Sequence, residues 1–249
     1  MPPLLALFRR LLSPLRPAVH ALRYRARLRE TRKCLEELKR ITSEQQLDLA
    51  LMERIRTAWG NTGWSADAGF LVEVGKRVWR HPGPVLDCGS GVSTLVLAVL
   101  AARHGATVWS LEQDRTWYEE VRRQLTALHL HNVVLWHAPL RSNGDYLWFD
   151  LTSRELPPHF PTVSCDGPAV SRSAGTPEEF AAWRSGVVPM LRDRGVTFDE
   201  IVLDDFEDSR CAALIERWNR AGITTSVVAS PAGTLVVGRP TEPLPRGVS

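Results

Sequence analysis

Four groups of residues in this 249-residue chain have the types and spacing to do chemistry. The first is Pro84-Val85-Leu86-Asp87-Cys88-Gly89-Ser90-Gly91-Val92-Ser93-Thr94. A short apolar run ends in an acid, turns through Gly-x-Gly and enters a second apolar run, Leu95 to Ala102. Glycines let a ligand approach the backbone without a Cβ in the way, and the helix start that follows offers unpaired N–H groups. The second is Glu112, at the end of the next apolar run and 23 residues after Gly89. A carboxylate there is placed to take both hydroxyls of a ribose; a plain helix cap is the simpler alternative. The third and fourth are Asp166, before Gly167-Pro168, and the pair Asp204-Asp205.

The elements that must hold these residues follow from periodicity. Strands are expected at Val85-Leu86, Thr107–Glu112, Val133–His137, Thr162–Asp166 and Glu200–Asp204. Helices are expected over 92–103, 115–128, 177–193 and 206–221. Segment 138–160 reads as irregular. Two β-branched runs, Ile223–Val228 and Thr234–Val237, close the chain at hairpin spacing. Upstream, a helix is expected from about Ala66 to Trp79. Ala18 to about Thr57 reads as one long helix or two, broken near Thr42-Ser43, with Ser43 as a cap. Such a helix either packs on its own domain or projects to pair with a second copy. Strand–helix alternation predicts an α/β fold with a mostly parallel sheet covered by helices on both faces. The organisation expected is a basic tail and helical extension (1–58), a catalytic domain (59–240) and a short C-terminal tail (241–249).

Composition narrows the class. With 44% hydrophobic residues and nine Trp the chain can bury a large core. The net charge is only +3, but residues 1–33 carry nine Lys/Arg against Glu30 alone, so the arm is basic and the remainder acidic. Cys34, Cys88, Cys165 and Cys211 are widely separated, with no C-x-x-C, which predicts free buried thiols in a reducing, cytoplasmic setting. No apolar run approaches the length of a membrane span, and Arg9 and Arg10 follow the opening apolar residues rather than precede them, against a signal peptide.

Together, Leu86-Asp87-Cys88-Gly89-Ser90-Gly91, the Leu111-Glu112 strand end, Asp166-Gly167-Pro168, Leu203-Asp204-Asp205 and the closing hairpin resemble the class I S-adenosylmethionine-dependent methyltransferases. The likeness spans roughly Asn61 to Pro240. It implies a Rossmann-like, seven-stranded, mostly parallel sheet with an antiparallel C-terminal hairpin, and S-adenosylmethionine as cofactor. A nicotinamide dehydrogenase is the competing reading. It is disfavoured because the third glycine of G-x-G-x-x-G is missing and Asp87 stands where dinucleotide folds keep an apolar residue. The resemblance implies that Asp87 orients the methionine end of the cofactor while Gly89, Ser90 and Gly91 pass close to it. Ser93 and Thr94 would add hydroxyl or N–H contacts, Glu112 would hold the ribose, and Gln113, Trp117 and His137 would wall the adenine. Trp117 and His137 fit core packing as readily.

The acids Asp166, Asp204 and Asp205 look like the cation ligands of catechol and caffeoyl-type O-methyltransferases, which implies Mg²⁺ or another divalent cation. The chain departs from that pattern: Asp205 stands where Asn is usual, and Arg172 is found where a lysine base is common. The alternatives are that Asp166 shapes a turn and Asp205 caps a helix, or that Asp166 or Asp205 acts as a general base without metal. The resemblance thus implies O-methylation of a small-molecule acceptor. Asp166-Gly167-Pro168-Ala169 lacks the Pro-Pro-aromatic sequence of base N-methyltransferases. The Trp59/Trp64 region, segment 138–160 and loop 167–176 would wall the acceptor, or close the core. A nucleic-acid-directed methyltransferase using the basic arm, or a non-catalytic scaffold, remain as alternatives. The arm itself suits a peripheral membrane contact, and the long helix a homo-oligomer; nucleic acid is the weaker partner.

Overall fold

A computed structural model describes residues 16–61, 63, 65–144, 146–169, 176, 181, 184–204, 208–230 and 233–241. Its centre is a seven-stranded sheet built from β1 (Val85–Cys88), β2 (Val108–Glu112), β3 (Val133–His137), β6 (His159–Cys165), β7 (Thr197–Leu203), β8 (Ile223–Ser230) and β9 (Gly233–Pro240). The strand order is β3-β2-β1-β6-β7-β9-β8. β1, β2, β3, β6 and β7 pair in parallel, and β9 lies antiparallel to both β7 and β8. The closing hairpin is tighter than expected: Ser230 pairs with Gly233.

Each face of the sheet has its own core, as period-2 strands require. Val85 and Val108 join a cluster with helices α1 (Arg16–Arg40), α2 (Leu49–Trp59), α3 (Ala68–Arg80), α4 (Val92–Ala102) and α5 (Arg115–Ala127). Leu86, Cys88, Val163 and Leu203 join the other, with α6 (Val187–Asp193) and α7 (Asp208–Arg220). α4 is buried from Val92 to Ala101, which explains why its sequence is apolar all round.

Segment 138–160 is less irregular than its sequence suggests. It holds a two-stranded antiparallel ladder, β4 (Leu140–Ser142) with β5 (Leu147–Phe149), and drives Trp148 and Phe149 into the core. β6 starts at His159, ahead of the expected Thr162, although it contains Pro161. Pairing with β1 begins only at Thr162, so Pro161 sits where one flank of the strand is unpaired, which a residue without N–H tolerates.

The long N-terminal helical stretch divides as α1 and α2. Between them Ser43 and Gln46 bracket a 3₁₀ turn, Glu44–Gln46. The cap of α2 is Asp48, whose carboxylate accepts from Leu51 N at 2.8 Å, rather than Ser43. The C-terminal half of α1 packs on its own domain: Thr31, Cys34, Leu35, Leu38 and Ile41 are buried, at the i, i+3, i+4, i+7 spacing of one helix face.

Candidate functional site

β1 places Asp87 one residue before its end, on the face covered by α4. The carboxylate is fully buried and surrounded by hydroxyls. Its Oδ2 accepts from Thr94 (2.7 Å), Ser93 (3.3 Å) and Ser110 (3.3 Å), and its Oδ1 from Ser164 (2.9 Å). Asp87 thus ties β1 to β2, β6 and the first turn of α4. Burial pushes its pKa up to about 6, against the pull of the four hydroxyls. The structure turns the Ser93 and Thr94 hydroxyls inward to this carboxylate. Asp87, Ser93 and Thr94 therefore shape the loop from beneath. Ser110 and Ser164 were not singled out by sequence. Their signal is a small polar residue inside an otherwise apolar strand.

The two glycines serve different ends. Gly89 has φ +109°, and a Cβ there would lie 2.6 Å from Gly167 N and 2.9 Å from Gly167 Cα. Gly167 is equally confined, and its N–H donates to the Cys88 carbonyl at 2.6 Å. The Asp166-Gly167 turn, followed by a cis Gly167–Pro168 bond, therefore rests directly on the β1 loop. A Cβ on Gly91 would meet nothing within 4 Å. Gly91 itself is buried, so the room beside it is a space the loop leaves at the N-terminus of α4.

Glu112 ends β2 beside this space and is 6% exposed. Its Oε2 accepts from Ser90 Oγ at 2.6 Å and its Oε1 from Asp114 N at 2.8 Å. Burial raises its pKa. Ser90 is also held from behind, because Trp117 Nε1 donates to the Ser90 carbonyl at 2.9 Å. Trp117 in turn meets Trp59 edge-on, with ring centroids 5.9 Å apart. Trp117 is thus a support of the loop, and Trp59, 3% exposed, closes the core instead of walling an acceptor. Trp64 lies outside the described residues. Gln113 bridges to the Ala169 carbonyl through Nε2 (3.2 Å), while its buried Oε1 has no partner among the described residues. His137 pairs in register with Glu112 and tilts against Tyr118.

Of the three acids expected to bind metal, Asp166 and Asp204 occupy the ends of the neighbouring strands β6 and β7, where Asp204 N donates to the Cys165 carbonyl at 2.9 Å. Asp166 is half-buried at the end of β6, next to Gly167. Asp204 is 3% exposed and its Oδ2 accepts from Asp67 N at 3.4 Å, at the capping residue of α3. Asp205 lies outside the described residues. Among the described residues no group of three His, Cys, Asp or Glu side chains could hold a metal ion. Cys34, Cys88 and Cys165 are free and buried, and no helix among the described residues is long and apolar enough to cross a membrane.

No family model matches the chain, and no curated protein matches it by sequence. Solved structures do. The N-terminal domain of human METTL16 in complex with SAH is similar over 82% of this chain and 84% of that one, at 14% identity and a TM-score of 0.52. A delta-N METTL16 MTase domain covers 80% of this chain and 96% of its own, at 12% identity and a TM-score of 0.51. The strand order, the loop at the end of β1 and these likenesses define the class I S-adenosylmethionine-dependent methyltransferase fold. This chain has that fold.

Proposed function

We propose that the protein binds S-adenosylmethionine between the β1 loop and the ends of β2 and β3, and transfers its methyl group to an oxygen of a small molecule. The observation that carries the reading is Gly91. It leaves room for a ligand at a helix N-terminus, near two buried acids, Asp87 and Glu112, that have no cationic partner among the described residues. The orphaned Gln113 Oε1 at the same edge is a ready acceptor for a ligand N–H or O–H. The similar METTL16 structure holds SAH, the thioether that remains after methyl transfer.

When bound, S-adenosylmethionine supplies an electrophilic methyl on a sulfonium, and its C–S bond breaks as the acceptor oxygen attacks in line. The chain's part is alignment and proton removal. In this reading Glu112 holds the ribose hydroxyls, with Ser90 yielding its bond to them. Backbone N–H groups at the start of α4 hold the carboxylate of the methionine end. Asp166, which the Gly167–Gly89 contact fixes against the loop, takes the proton of the acceptor hydroxyl. The test is transfer of isotopic label from the methyl donor to phenols, catechols and other hydroxylated compounds. Labelled product formed by the wild type and lost in Asp166→Asn, with cofactor affinity kept, supports the assignment. Undiminished transfer by Asp166→Asn removes the base role.

A further inference from the structure

The two halves of α1 are built for different surroundings. Its C-terminal half turns Cys34, Leu35 and Leu38 into the core. Its N-terminal half carries Arg23, Arg25, Arg27 and Arg29, all exposed. Among the described residues three large apolar side chains are strongly exposed, and two of them, Val19 (42%) and Leu22 (64%), are on this half-helix. At 100° per residue Leu22, Arg25, Arg29 and Lys33 fall on the side opposite Leu38. Arg27 reaches the Gly60 carbonyl and Lys33 pairs with Glu30, but Arg23, Arg25 and Arg29 make no ion pair among the described residues. Upstream, residues 1–15 continue the same composition, with Arg9 and Arg10 among Leu4, Leu5, Leu7, Phe8, Leu11 and Leu12.

From these observations we infer that the N-terminal half of α1 is a docking surface for an anionic lipid bilayer. Charge selects the partner first. A second copy of the helix on this face would set arginines against arginines, and an acidic surface would not. Exposed apolar side chains among the arginines select next. A bilayer interface takes Leu and Val into the headgroup boundary while Arg meets lipid phosphates. A nucleic-acid backbone would match the charge and leave Val19 and Leu22 in water. Base stacking needs exposed aromatics, and the one Phe, Tyr or Trp on this half of α1, Tyr24, is half-buried. The contact is peripheral and places the sheet's own domain at the membrane surface.

Sedimentation of the full chain with phosphatidylglycerol-containing or pure phosphatidylcholine vesicles tests this. The expected result is binding to the anionic vesicles that added salt reverses. Arg25→Ala with Arg29→Ala weakens it roughly thirty-fold, and Leu22→Gln weakens it with no change in charge. Both variants keep the wild-type unfolding midpoint and S-adenosylmethionine affinity, so the outcome is independent of the methyl-transfer reading. No binding to anionic vesicles, equal binding to neutral ones, wild-type binding by the double variant, or displacement from vesicles by RNA would each overturn the inference.

Discussion

The two ends of the central sheet treat buried acids in opposite ways. At the end where the strands begin, Glu200 of β7 is met by two guanidinium groups. Arg77 Nε lies 2.7 Å from its Oε2, and Arg239 Nε donates to its Oε1 at 2.6 Å. Arg77 also pairs with Glu73 at 2.8 Å. At the end where the strands finish, Asp87 is met only by hydroxyls among the described residues, and Glu112 by a hydroxyl and the backbone N–H groups of Asp114 and Gln113. Charge is cancelled at one end and left standing, or held near neutrality by protonation, at the other. The first arrangement locks α3 to the sheet. The second sets no cation beside either acid among the described residues, which suits the positive ligand proposed above.

Substitutions at the two ends should therefore separate stability from binding. The largest effect is expected at Gly89→Val. The φ of +109° and the 2.6 Å approach to Gly167 N leave no room for a side chain, so a loss of about 3 kcal/mol or more is expected in chemical denaturation. Sequence alone suggests a cofactor defect in a folded domain at this position; the packing of Gly167 makes it a folding position. Next, Arg77→Ala removes a partner from Glu73 and Glu200, while Arg239 still covers Glu200. About 2 kcal/mol of stability is lost, with affinity for S-adenosylmethionine unchanged by calorimetry.

The pH dependence of Asp87 comes third. Its pKa is about 6 in the folded protein against an ordinary 3.8, so between these values the folded state holds more protons. Stability from this group is fully present below about pH 4 and falls as pH rises through 6, by at most about 3 kcal/mol. The stability of the wild type relative to Asp87→Asn should rise as pH is lowered from 7 to 5. A flat difference would mean that the hydroxyl cage keeps the carboxylate ionised. The smallest stability change is expected for Glu112→Ala, which should stay within about 1 kcal/mol of wild type yet weaken cofactor binding roughly 10- to 100-fold.

Much of this was legible in the sequence because it is local. β3 runs from Val133 to His137 as its apolar run predicts, and Glu112 ends β2 where expected. The closing β-branched runs do form an antiparallel pair. What could not be read depends on contacts far apart in the chain. Ser110 and Ser164 reach Asp87 across 23 and 77 residues, and nothing in either strand marks them as partners of an acid. Gly167 looks like an ordinary turn residue until β6 is laid beside β1. Trp59 looks like an exposed aromatic at a helix end until α2 brings it onto Trp117. β4 and β5 are three residues each, too short for alternation to register. The acids Asp166 and Asp204 share the strand-end position of metal ligands, but Asp204 is turned toward α3, which only the packing of that helix reveals.

The central claim is that the loop after β1 holds a methyl donor, with Gly89 serving the fold and Gly91 the ligand. Calorimetric titration of S-adenosylmethionine into wild type and Gly91→Val tests it most directly. Gly91 has an extended φ of 167° and open space at its Cβ position, so the variant should fold with stability within about 1 kcal/mol of wild type. Wild type should give a binding isotherm and the folded variant none. A wild type that does not bind, or a variant that binds equally well, would contradict it.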